Sequence, residues 1–119
     1  MKQAIIDLIK NKGGSVTCAE LCREVPGFAG DRVWEYNRDN LVLWIGVSTE
    51  AVSAMNDLLD KKAVAGMTTP VLTYLFDGDM LTIPLAKNPK RQYKTPHWLP
   101  IAFWLPDQIS ADMSRAVEI

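Results

Sequence analysis

The chain is expected to fold as a small α+β domain. Apolar residues recur at helical spacing in 2–12, 18–25 and 48–62. Two β-rich runs, 72–76 and 79–83, are separated by Asp77-Gly78, the dipeptide favoured in tight hairpin turns. The composition is that of one soluble globular domain: 119 residues, 48% hydrophobic and 23% charged, enough for a single modest core.

Lys2 to Lys12 is the first expected helix. Ala4, Ile5, Leu8 and Ile9 form its buried stripe. Lys10 and Lys12 suit its negative C-terminal end, and Gly13-Gly14 stops it. Ser15-Val16-Thr17 fits a short strand. Thr17-Cys18-Ala19-Glu20 fits a capping box that opens a second helix. Cys18, Leu21, Cys22 and Val25 face inward there, and Pro26-Gly27 ends it. The segment 28–47 is longer than a usual helix–helix connection. A helix capped by Asp31 and carrying Val33 and Trp34 is favoured for its first part, while 41–45 is either helix or buried strand.

Gly46 can supply the positive φ of an interhelical turn. Ser48 is placed to cap a third helix, 48–62, with Ala51, Val52, Met55, Leu58 and Leu59 on its buried face. A strand is expected from Val64 to Thr69, and a hairpin across Leu72–Phe76 and Asp79–Ile83. Beyond residue 86 comes a basic segment, then an aromatic, proline-rich stretch in which Trp-Leu-Pro occurs twice. Pro96, Pro100 and Pro106 preclude one regular helix there. The division expected is a domain over 1–86 and an extension over 87–119, packed on the domain or on a partner. Residues 110–119 either form a short helix or fray.

The run Ile45-Gly46-Val47-Ser48-Thr49-Glu50-Ala51-Val52-Ser53-Ala54-Met55-Asn56-Asp57-Leu58-Leu59-Asp60-Lys61-Lys62-Ala63-Val64 resembles the second-helix signature of winged-helix regulators, including the cyclic-AMP-receptor type. Their pattern is L-G-V-S-x-x-T-V-S-x-x-L-x-x-L-x-x-x-G-L/I/V. The resemblance implies a winged helix: a helix-turn-helix followed by a β-hairpin wing, here with an insertion at about 28–47. It implies a small transcriptional regulator or other DNA-transaction factor, and a self-contained chain of this size suits a mobile-element origin. The family often carries Arg near the positions of Thr49 and Ala54, and a Gly near Ala63. This chain has neither.

Charge qualifies that expectation. The formal net charge is −1, whereas phosphate neutralisation usually gives a DNA-binding domain a basic excess. Binding to double-stranded DNA therefore requires local segregation of charge. On the third helix Ser48, Thr49, Ser53 and Asn56 are candidate polar contacts. Glu50, Asp57 and Asp60 share its outward side with Ser53 and would repel phosphate. Lys87, Lys90, Arg91 and Lys94 form the dense basic segment and are the candidate phosphate contacts beside the wing. Trp98, Phe103 and Trp104 are candidate contacts for a protein partner or a second copy, since aromatics are enriched in interfaces. A non-DNA-binding interaction or dimerisation module is thus the alternative.

Cys18 and Cys22 lack the further ligands that a structural metal site needs. They read as small buried residues. The single histidine, His97, has no nucleophile-and-acid context. No phosphate-binding glycine loop, zinc-protease motif or nucleophile elbow is present. The expectation is a non-enzyme without metal or cofactor. No apolar run is long enough to span a bilayer, and Asp7 interrupts the N-terminal apolar stretch, so a cytoplasmic location without membrane association is expected.

Overall fold

The computed structural model describes residues 1–110, 113 and 116–119. Helix α1 (Lys2–Lys12) leads through β1 (Val16–Thr17) into α2 (Cys18–Glu24). A hairpin of β2 (Ala29–Glu35) and β3 (Leu41–Val47) precedes α3 (Thr49–Asp60), β4 (Ala65–Thr68) and α4 (Val71–Phe76). An irregular stretch then reaches β5 (His97–Trp98) and β6 (Ile101–Trp104), followed by a 3-10 turn at Pro106–Gln108. The architecture is α+β. No helix among the described residues is long and apolar enough to cross a membrane.

Each helix is delimited by its own chemistry. Ile5 and Ile9 of α1 are fully buried, while Leu8 is partly buried and Ala4 exposed. Gly13 closes the helix in the left-handed region at φ 80. At α2 the Thr17 hydroxyl accepts the Glu20 N–H at 3.1 Å. The Glu20 carboxylate turns instead to Lys12, 2.7 Å away. At α3 the Ser48 hydroxyl accepts the Ala51 N–H at 3.0 Å and donates to the Gly27 carbonyl at 2.7 Å. That cap fixes where α3 starts against the α2–β2 connection.

Two small sheets share the core. In one, the strand order is β1-β6-β4, and both pairings are antiparallel. In the other the order is β2-β3-β5, with β2 antiparallel and β5 parallel to β3. The segment 97–104 therefore runs through both sheets, and β6 is the middle strand of the first. Residues expected in an appended extension are integral to the fold. Aromatic rings fill the space between the layers. Trp34 stacks on Phe103 with centroids 5.9 Å apart, and Tyr74 packs on Trp44 at 5.2 Å and Trp98 at 4.9 Å. The Tyr74 hydroxyl donates to Ile101 O at 2.6 Å and accepts from Cys18 N–H at 3.2 Å. One buried side chain thus ties α4, α2 and β6 together.

Three expectations are corrected. The helix favoured after Asp31 is strand β2, and 41–45 belongs to strand β3. Asn37 and Asn40 take left-handed φ values of 64 and 67, which asparagine tolerates better than most residues, and so turn the chain between the two strands. Gly46 has φ 106, but it lies inside β3 rather than in an interhelical turn. The hairpin expected over 72–83 is helix α4 followed by irregular chain. A type I′ turn needs positive φ at both central residues. Here Asp77 stays right-handed at φ −83, Gly78 is at φ 82, and the Gly78 N–H bonds Leu75 O at 3.0 Å. Asp77-Gly78 ends a helix. Of the possible tail, 110–119, part lies outside the described residues. Its last residues lie along β4: Thr68 N–H donates to Val117 O and Ile119 N–H to Gly66 O, each at 2.9 Å.

Candidate nucleic-acid interface

The residues proposed as contacts from sequence fall into three places. On α3, Thr49 and Ser53 are exposed. They line a broad concavity with Glu50, Met1, Lys2 and Gln3. Ser48 is occupied as the helix cap. The Asn56 side-chain oxygen accepts the Trp34 indole N–H at 3.1 Å, so this residue secures α3 to β2. Asp57 is paired with Lys2 and, at 3.1 Å, with Lys61. The hydrogen bond from Lys2, then that from Lys61, holds its carboxyl below the usual range. Glu50 and Asp60 remain exposed. The α3 surface thus offers two hydroxyls among carboxylates, which is a poor match to phosphate.

Lys87, Lys90, Arg91 and Lys94 are all exposed. None forms an ion pair among the described residues. Their loop is built around Tyr93, which is buried. Its hydroxyl accepts the Asn88 N–H at 3.1 Å, while the Asn88 side chain accepts the Lys90 N–H at 2.9 Å. Tyr93 stacks on His97 with centroids 4.2 Å apart, and the Arg91 guanidinium lies over the Tyr93 ring, 5.6 Å from its centroid. His97 Nδ1 lies 2.7 Å from Thr95 O, a spacing at which the ring nitrogen donates. Arg91, Tyr93, Lys94 and His97 line a concavity of about 380 Å³.

The loop does not lie beside the start of α3. It is fastened to the far end of the β2–β3 hairpin. Asn40 Nδ2 donates to Tyr93 O at 3.1 Å, and His97 N–H donates to Asn40 O at 2.8 Å. Strand β3 separates that end from Ser48, roughly 20 Å at the rise of an extended chain. The two halves of the expected DNA site are therefore separate surfaces.

Trp98 and Phe103 are fully buried in this chain's own core and offer a partner no surface. Trp104 is partly buried, its ring lying over Gly14, where an added Cβ would come within 2.1 Å. Among the exposed large apolar side chains, three are gathered on α4: Leu72, Leu75 and Phe76, the last 83% exposed. Reading 72–76 as strand hid that face. Arg38 and Asn40 at the hairpin turn were also missed. The signal was present, since Tyr36-Asn37-Arg38-Asp39-Asn40 between two apolar runs is turn chemistry.

The cysteines are thiols in apolar surroundings. Burial pushes Cys18 up to about 12 and also raises Cys22, which disfavours the reactive thiolate. Among the described residues, no three His, Cys, Asp or Glu side chains gather to hold a metal. Comparison with family models, curated proteins and solved structures found no match for this chain.

Proposed function

We propose that this protein is a winged-helix DNA-binding module that holds duplex DNA by its phosphate backbone, as a small transcriptional regulator or other DNA-transaction factor. The order α1-β1-α2-α3-β4-β6, with β6 lying between β1 and β4, supports the winged-helix part. In this reading β2–β3 is an insertion between the paired helices, and 69–100 takes the place of a short wing. DNA binding is carried by the 87–94 loop, where four exposed cations stand on a turn pinned by Tyr93. Such contacts position a duplex without reading its sequence.

The test is a fluorescence-anisotropy titration of a random duplex over a range of salt. The fourfold variant Lys87→Ala/Lys90→Ala/Arg91→Ala/Lys94→Ala is expected to lose binding. For wild type, log K should fall with log salt at a slope near −0.9 per phosphate contact. Absence of wild-type binding at low salt would overturn the proposal.

A second reading is a protein-interaction module. It is favoured by the exposed apolar side of α4, Leu72, Leu75 and Phe76, since monomeric surfaces seldom gather large apolar side chains without use.

A further inference from the structure

We infer that the tip of the β2–β3 hairpin is part of the DNA-contacting surface, with Arg38 as a phosphate-binding residue. This inference rests on the DNA-binding reading above and extends it to a part of the molecule outside the basic segment.

The tip is held in shape. Arg38 N–H donates to Tyr36 O at 2.8 Å. The Glu35 carboxylate accepts the Asn40 N–H, and Asn37 and Asn40 supply the two left-handed residues of the turn. The Asn40 side chain and carbonyl then bind the 93–97 segment. Hairpin tip and basic loop are consequently one unit. The Arg38 side chain itself is exposed and forms no ion pair among the described residues.

Charge converges there from two distant stretches of chain. Arg38 and Lys90 line one concavity of about 240 Å³, with Tyr36, Asn37, Pro89 and Glu118. Lys87, Arg91 and Lys94 stand on the same loop as Lys90, so tip and loop together carry Arg38, Lys87, Lys90, Arg91 and Lys94 against Glu35, Asp39 and the nearby Glu118, although the whole chain is net −1. Glu35, whose carboxylate accepts the Asn40 N–H, Asp39 and Glu118 are the opposing charges. A guanidinium can meet a phosphate through two parallel N–H donors. A two-stranded ribbon is also slim enough to follow a major groove. The exposed side of α3, with Glu50 and Asp60, would also fit a groove but offers no guanidinium.

The test uses the full chain and labelled random duplex, titrated at several salt concentrations. Arg38→Ala is expected to weaken binding about tenfold and to make the salt slope shallower by about 0.9. Arg38→Lys should restore the slope, because it keeps the charge. Thr49→Ala/Ser53→Ala should change neither quantity. If Arg38→Ala binds like wild type with the same slope, while the fourfold loop variant loses binding, the tip inference is overturned and the loop reading stands. If wild type itself does not bind, both fall. Tighter binding to a single strand of the same length than to duplex would overturn the duplex assignment. Circular dichroism of each variant checks that the fold is kept.

Discussion

Cys18 and Tyr74 show what a single position contributes. The Cys18 thiol is sealed in the core, and burial pushes it up to about 12 from an ordinary 9.0. Burial, then the charge of Cys18, raises Tyr74 as well. A raised acid is neutral in the folded chain while the unfolded chain has already lost its proton. Stability is therefore retained below about pH 9 and lost as pH climbs from there toward 12, by about 1.4 kcal/mol per unit for the thiol alone. Urea unfolding midpoints should fall over that window, and Cys18→Ala should flatten the fall without removing the part due to Tyr74. An unchanged pH profile in the variant would count against this account. That Cys18 would be buried was legible from its place beside Leu21 and Val25 on a helical face. Its proximity to Tyr74, 56 positions later, was not, because nothing local in either segment encodes the meeting.

At the level of elements, caps were the most readable feature and β-runs the least. Thr17 and Ser48 each accept a helix N–H where the sequence placed a cap. The apolar run 41–45 was ambiguous because a short buried strand and a buried helical turn have the same composition. The run 72–76 was misread for a related reason. Its β-favouring side chains were overruled by tertiary packing, in which Tyr74 is buried and its hydroxyl bonds Cys18 N–H and Ile101 O. The outcome is a short helix with an apolar side facing out. Leu72→Ser/Leu75→Ser/Phe76→Ser should leave the thermal unfolding midpoint nearly unchanged, because exposed positions typically matter by less than about 0.5 kcal/mol each. The same variant should lower any self-association or partner capture seen with wild type by analytical ultracentrifugation or pull-down. A large loss of stability would show that these side chains pack more tightly than their exposure implies.

For the whole molecule, the α+β class and the positions of α1, α2 and α3 could be read from spacing, but the connection between distant strands could not. Periodicity says which face of a strand is buried and is silent on its neighbours. Hence the aromatic stretch 97–104 was expected to be an extension, although its strands join both sheets. The candidate site was legible as a list of cations, and its placement at a hairpin tip depended on a hairpin that was not foreseen. Native-state hydrogen exchange should reflect this arrangement. Amides of Ala102 and Phe103 in β6 should exchange only through global unfolding, whereas those of Asn37 and Asp39 at the exposed turn should exchange through local opening. Exchange of β6 at the rate of the turn would contradict a central role for that strand. The position of β6 also matters while the chain is being made. Trp34 and Trp44 leave the ribosome long before Phe103 and Trp98, the rings that cover them. At ordinary synthesis rates the interval between Trp44 and Trp98 is roughly 3 to 10 s. During those seconds the nascent hairpin lacks the rings that cover Trp34 and Trp44 in the finished fold, so its packing is completed only after residues 98–103 are made.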